Sequence, residues 1–270
     1  MNICFIGGGN MATALIGGLL KRDFLPAQIS VVELNAGKRA ELQSEFGVRA
    51  VEELAAGIPD SDVIVLAVKP QQLREVARKL APHLSGQLVI SIAAGIRMTD
   101  LARWLGNYRK LVRTMPNTPA LIGAGMTGLY ATADVTALER QIATDILGAV
   151  GHTLWVEREE QIDAITAVSG SGPAYVFYFI EAMQEAAQEL GFTPEEAHRL
   201  TIQTALGAAQ LAASSEEPVG VLLKRVTSAG GTTEAALRVK AERMVKQGII
   251  AGMHAAEARG RELGELLGKD

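Results

Sequence analysis

Residues 1–18, MNICFIGGGNMATALIGG, restrict the fold more than any other stretch of the chain. Ile3-Cys4-Phe5-Ile6 is an apolar run too short for a helix, and it breaks at Gly7-Gly8-Gly9. The apolar residues of Met11-Ala12-Thr13-Ala14-Leu15-Ile16 then follow helical spacing. The order is strand, tight glycine turn, helix, with the pattern G-x-G-x-x-A running from Gly7 through Gly9 to Ala12. In a dinucleotide site the first glycine allows the sharp turn and the second lets the backbone approach a pyrophosphate. A small third residue lets the helix pack close to the strand. The free N–H groups and positive dipole end of the new helix then face the phosphates. Glycine clusters also make ordinary turns, but here the strand before and the helix after supply the context that such a site requires.

The β-α alternation continues. Ile29-Ser30-Val31-Val32 predicts a second strand, which ends at Glu33. An acidic residue some twenty-odd residues past the glycines is where a ribose 2′-hydroxyl is often held, and it would repel a 2′-phosphate. Asn35, Lys38 and Arg39 follow at once and could bind that phosphate, so NADH and NADPH both stay open. Residues 38–46 read as a helix, and a weak third strand lies near Val48. Residues 62–68, DVIVLAV, are almost continuously apolar, as a buried parallel strand should be. They lead into Lys69-Pro70 and a helix over 71–80. Residues 88–92 predict another strand, ending in Ala93-Ala94-Gly95. Small residues there either leave room for a ligand in the crevice of an open α/β sheet or make a tight βα turn. Strands at 111–113 and 125–130 flank Thr114-Met115-Pro116-Asn117-Thr118-Pro119-Ala120, whose two prolines forbid regular helix or a central strand. A rigid loop between strands is a functional candidate. A helix over 138–150 and a strand over 153–156 complete the pattern, which predicts an α/β Rossmann domain over residues 1–157.

From Gln161 onward the chain is helical in period and rich in alanine. Residues 176–190, 194–213 and 233–267 read as long helices or helix pairs, with Thr193 ahead of Pro194-Glu195-Glu196 a good helix start. Alanine-rich helices with few aromatics bury area through close backbone approach, and a domain of roughly a hundred residues built this way often completes its core against a second subunit. Residues 158–270 are thus expected to form an all-α dimerisation domain, making the protein at least a homodimer. The composition, 48% apolar and 21% charged over 270 residues, is globular. A net charge of −4 argues against a nucleic-acid partner. No stretch approaches the length of a membrane span, and the first residues lack the basic-then-apolar order of a signal peptide. The single cysteine, Cys4, cannot form an internal disulfide and is expected in the core. A soluble cytoplasmic protein is the expectation.

Two glycine-rich stretches interrupt the helices. Ser169-Gly170-Ser171-Gly172-Pro173 reads as an ordinary helix start, with Ser171 or Gly172 near the cap and a proline in the first turn. Residues 226–233, VTSAGGTT, open the last helical segment and are richer in small and hydroxylic residues than a cap needs. The N–H groups of Gly230, Gly231 and Thr232 would form an anion cradle, and the hydroxyls of Ser228, Thr232 and Thr233 add neutral donors, which suits a small carboxylate. The four histidines, His83, His152, His198 and His254, show no metal-ligand spacing, and no nucleophile elbow is present. Glu159-Glu160 and Glu216-Glu217 read as solvated charge pairs. A nicotinamide enzyme with no obvious acid–base histidine suggests a substrate needing little proton management, such as a basic C=N bond.

Taken in order, FIGGGNMA (5–12), AVKPQ (67–71), SIAAGI (91–96), RTMPNTPALIGAGMT (113–127), AVSGSGPAYVF (167–177) and VTSAGGTT (226–233) resemble the pyrroline-5-carboxylate reductases. The resemblance covers nearly the whole chain. It implies a Rossmann domain, then a helical dimerisation and substrate-binding domain interleaved between two subunits. The active site would lie between the cofactor on one subunit and the last glycine-threonine motif of its partner. It implies Gly7, Gly8, Gly9, Asn10, Met11 and Ala12 on the pyrophosphate and Asn35 near the adenosine ribose. Ala67, Val68, Lys69 and Pro70, with Ala93 and Ala94, would border the cofactor toward the nicotinamide. Ser228, Gly230, Gly231 and Thr232 would hold the substrate carboxylate, and Thr233 would bond the ring nitrogen as the catalytic group. The reaction implied is hydride transfer to 1-pyrroline-5-carboxylate, giving L-proline, with NADP(H) favoured and NAD(H) the alternative. Two departures stand out: Ala229 where the family usually has proline, and Glu33 where many NADPH-preferring relatives carry a small polar residue. Other readings are a related imine or β-hydroxyacid dehydrogenase, whose helical lysine is missing from residues 176–190, and a non-catalytic nucleotide sensor.

Overall fold

The computed structural model describes residues 1–269. In chain order the first half runs β1 (Ile3–Ile6), α1 (Asn10–Leu20), β2 (Ile29–Val32), α2 (Ala36–Phe46), β3 (Arg49–Val51), α3 (Leu54–Gly57), β4 (Val63–Leu66) and α4 (Pro70–Leu80). There follow β5 (Leu88–Ser91), α5 (Met98–Trp104), β6 (Leu111–Met115), β7 (Gly125–Ala131), α6 (Ala137–Gly148), β8 (Gly151–Trp155) and α7 (Gln161–Ile165). The helical half comprises α8 (Gly172–Glu189), α9 (Pro194–Ser214), α10 (Val219–Arg225), α11 (Thr232–Glu242) and α12 (Val245–Gly268).

All eight strands form one sheet in the order β3-β2-β1-β4-β5-β6-β7-β8. Every pairing is parallel except β6 with β7. Because β1 lies between β2 and β4, the winding direction reverses there, which opens a crevice at the carboxyl ends of β1 and β4. Strand period 2 sends Ile3 and Phe5 to one face, under Leu15, Ile16 and Leu19 of α1, and Cys4 and Ile6 to the other, against the cluster holding Leu73, Ala77 and Leu80 of α4. Each fully buried aliphatic or aromatic side chain in these layers contributes roughly 1.5–3 kcal/mol. Cys4 is part of this core, and burial pushes its thiol up to about 11.

The expected strands and helices through β8 are present. The sequence reading overlooked α3, α5 and α10, all short. Pro119 does exclude an α-helix after β6, but residues Thr118–Ile122 form a 3₁₀ turn that accepts it in the first turn. Contacts divide the chain into two compact units: Met1–Ser171 joined by the stretch from Ala255 onward, and Gly172–His254. The end of α12 joins the first unit because it is small enough to lie against a backbone. A Cβ on Gly264 would stand 3.2 Å from the Gly95 carbonyl oxygen, and Arg103 donates to the Gly268 carbonyl at 2.8 Å.

Within the second unit, Thr193 and Glu196 form the expected reciprocal cap of α9: the Thr193 hydroxyl accepts from the Glu196 N–H at 3.3 Å, and Glu196 accepts from the Thr193 N–H at 2.9 Å. Helix α8 contains no buried residue. Its consecutive Val176, Phe177, Tyr178 and Phe179 are all exposed, so apolar surface runs most of the way round the helix.

One expectation is corrected. Glu159 is not a solvated charge: it joins an ionic cluster under the sheet. Arg113 on β6, 1% exposed, donates to Glu159 at 2.8 Å and to Asp163 at 2.9 Å. Arg97 reaches the other Asp163 oxygen at 2.7 Å, and Glu159 also accepts from the Met98 N–H at 2.8 Å. A buried guanidinium must be neutralised locally, and two carboxylates distant in sequence do it, Asp163 on α7 and Glu159 just before that helix. Asp163→Ala should therefore cost about 3–5 kcal/mol by leaving Arg113 short of a carboxylate in the interior. Urea unfolding at fixed protein concentration measures it.

Candidate functional site

The turn after β1 is held by its own backbone. Gly7 has φ +100, donates to the Val32 carbonyl at 2.8 Å, and has no room for a side chain: a Cβ would lie 2.6 Å from the Ala67 carbonyl oxygen. The Gly8 N–H donates to Glu33 Oε2 at 2.8 Å. Gly9 is the N-cap of α1, in an extended conformation any residue adopts, and no side chain caps the helix. A Cβ on Gly9 would meet nothing within 4 Å. The two glycines thus differ: Gly7 is required by the fold, whereas Gly9 borders open space at the positive end of a helix. Ala12 is buried beneath the turn, Met11 half-buried and Asn10 exposed.

Three more segments end at the same edge because their strands run parallel to β1. After β2, Glu33 Oε1 accepts from the Asn35 N–H at 2.8 Å, and Asn35 Oδ1 caps α2 by accepting from the Lys38 N–H at 2.9 Å. After β4, the Ala67 N–H donates to Ile6 at 2.8 Å, Val68 is half-buried, Lys69 is the exposed N-cap of α4, and Pro70 opens that helix. After β5, Ala93 is buried and Ala94 exposed. Gly95, at φ +75, takes the turn and lies 3.6 Å from Leu263 and Leu267 measured from an added Cβ, so turn and docking account for this glycine. The structure therefore brings residues 7–12, Asn35, 67–70, Ala93 and Ala94 to the carboxyl edge of one sheet.

The proline loop after β6 is a clamp. Asn117 Nδ2 donates to the Ser169 carbonyl at 2.9 Å while its Oδ1 accepts from the Met126 N–H at 2.8 Å. Residues Thr166–Gly170 form a π-helical turn, and the Ser171 N–H donates to the Thr166 carbonyl at 2.8 Å. The segment expected to be a fresh helix start is thus already helical before Gly172, because the π turn absorbs the extra residues between α7 and α8.

In the second unit, Ser228, Gly230, Gly231, Thr232 and Thr233 surround the start of α11, with Gly231 as its N-cap. Gly230 has φ +71 and space around it. The Gly231 N–H donates to the Ser228 carbonyl at 3.1 Å. The Gly230 N–H is taken by Glu234, whose Oε2 accepts at 2.7 Å. The sequence reading missed this carboxylate. Its signal was an acidic residue in the first turn of the helix, four positions past a glycine. Thr233 is half-buried, and Ser228, Gly230 and Thr232 are exposed. Among the described residues no three His, Cys, Asp or Glu side chains are placed to share a metal ion, and no helix is long and apolar enough to cross a membrane.

A parallel sheet reversing at a strand that ends in a tight glycine turn defines a Rossmann-type dinucleotide-binding protein. Residues 2–95 match the family model described as NADP oxidoreductase, coenzyme F420-dependent, and residues 159–263 match that described as pyrroline-5-carboxylate reductase dimerisation. A pyrroline-5-carboxylate reductase of Pseudomonas aeruginosa is 49% identical over 99% of this chain and 98% of its own. A solved reductase of that name from Coxiella burnetii superimposes with a TM-score of 0.92 at 43% identity, covering 97% of this chain and 98% of the other. A pyrroline carboxylate reductase of Plasmodium falciparum, solved with NADP bound, gives 0.87 at 28% identity and 98% coverage of both. The chain belongs to the pyrroline-5-carboxylate reductase family.

Gly7→Ala should destabilise the first unit, combining a positive φ with a backbone clash, by about 1–3 kcal/mol or more. Gly9→Ala should leave the thermal midpoint near that of the parent. Calorimetry of the two variants separates them.

Proposed function

We propose that the protein reduces 1-pyrroline-5-carboxylate to L-proline with a reduced nicotinamide dinucleotide, the last step of proline biosynthesis. The observation that carries this reading is end-to-end likeness to the reductases in a chain holding both an open glycine turn and a hydroxyl-rich helix start. Functionally the chain divides near residue 157. Residues 1–157 hold the dinucleotide, and residues 158–270 provide dimerisation and the substrate loop. The pyrophosphate sits at Gly7, Gly8, Gly9, Asn10, Met11 and Ala12, where open space meets an uncapped helix N-terminus. Asn35 borders the adenosine ribose. Ala67, Val68, Lys69, Pro70, Ala93 and Ala94 border the rest of the cofactor toward the nicotinamide, which supplies a hydride when bound.

Ser228, Gly230, Gly231 and Thr232 hold the substrate carboxylate, and the Thr233 hydroxyl orients the ring nitrogen without bringing a charge of its own. Glu234 must leave the Gly230 N–H before a substrate carboxylate can use it, so it competes with substrate. The exposed apolar girdle of α8 has the surface of a helix that is enclosed, which supports a homodimer built on the helical half. The cytoplasm is the proposed compartment.

Mixing the protein with 1-pyrroline-5-carboxylate and following reduced-nicotinamide absorbance, with NADPH and NADH in parallel, tests the proposal. Loss of absorbance is expected. No loss from a folded protein that still binds dinucleotide discards it. Thr233→Ala should lower kcat about a hundredfold with dinucleotide affinity unchanged, and equal loss of both sinks its assigned role. Glu234→Ala should lower the KM for the carboxylate substrate several-fold, to about the extent that one freed charge-assisted hydrogen bond allows.

A further inference from the structure

Resting on the dinucleotide reading above, we propose that Glu33 makes this chain select NADH over NADPH. Its carboxylate stands at the end of β2, on the cavity that also borders Gly8, Asn35, Lys38 and Glu41. Both oxygens are pinned by backbone: Oε2 accepts from the Gly8 N–H at 2.8 Å and Oε1 from the Asn35 N–H at 2.8 Å. Each carboxylate oxygen keeps a further lone pair, and Glu33 lines the cavity. A ribose 2′-hydroxyl has a proton to donate there. A 2′-phosphate is chiefly an acceptor and carries about −1.5 to −2 charges.

The cations that would offset that charge are engaged elsewhere. Arg39 donates to the carbonyls of Glu33 at 2.7 Å and Leu34 at 2.8 Å, and its other nitrogen pairs with Glu52 at 2.8 Å. Lys38 pairs with Glu41 at 2.7 Å. The start of α2 is no better placed to take an anion, because the Asn35 side chain already accepts from the Lys38 N–H. The cavity thus presents two carboxylates and one ammonium, and that ammonium is bound to one of the carboxylates. To seat a 2′-phosphate, Glu33 would have to turn away, leaving the Gly8 and Asn35 N–H groups without their partner.

The test measures kcat/KM for 1-pyrroline-5-carboxylate reduction with each cofactor, together with dissociation constants for NADH and NADPH from nicotinamide fluorescence without substrate. The parent protein should favour NADH by about tenfold or more, and Glu33→Ser should shift the ratio toward NADPH by at least about tenfold, as removal of one close like charge requires. A parent that favours NADPH overturns the proposal. So does a Glu33→Ser variant that loses both cofactors equally, since Glu33 then only braces the glycine turn. If the variant does not fold, the parent's own ratio decides. Absence of turnover with the binding ratio intact removes the reductase reading and leaves the selectivity standing.

Discussion

No atom beyond hydrogen fits between the Gly7 Cα and the Ala67 carbonyl, and the first unit is arranged around that close approach. It lets the chain leave β1 at a sharp angle while β4 ends beside it. The Gly7 N–H is spent on β2 and the Ala67 N–H on β1, so three strand ends are locked together by backbone alone. A side chain at Gly7 would push β4 away and disturb the sheet where β1 and β4 end side by side. The open space at Gly9 exists because Gly7 has already made the turn. Open space and fold stability are thus assigned to different glycines two residues apart.

A second constraint is electrostatic. Arg113 brings a full charge beneath the sheet, and its neutralisation draws in α7 through Asp163 and the segment before it through Glu159. The same carboxylates tie down Arg97 and the N–H of Met98, so the start of α5 is held by the same cluster. Asn117 adds a neutral clamp on the π turn. Directional polar contacts hold this region in a single arrangement, where apolar packing alone would tolerate sliding.

The helical unit follows a different physics. Its α9 begins with a reciprocal Thr193–Glu196 cap, yet α8 leaves aromatic and aliphatic side chains uncovered on successive positions. Such a helix is stable only inside a larger core, and membership of a family whose matched segment is named for dimerisation accounts for where that core comes from. The unit's start of α11 carries small and hydroxylic residues, with Glu234 held at the Gly230 amide.

The short-range patterns were legible in the sequence. A four-residue apolar run, three glycines and a helical period determine β1, its turn and α1, because each depends only on neighbours a few residues away. The same holds for the nearly continuous apolar strands and for the Thr193–Glu196 cap. The tertiary structure alone decided which polar groups meet. Glu33 with the Gly8 amide, Glu159 with Arg113 and Asn117 with the Ser169 carbonyl are partners far apart in the chain, and nothing in their local sequence names the other end. Hydrophobic periodicity encodes which face is buried. It does not encode which buried or half-buried charge finds which donor, because that depends on how strands separated by whole βα units come to lie side by side.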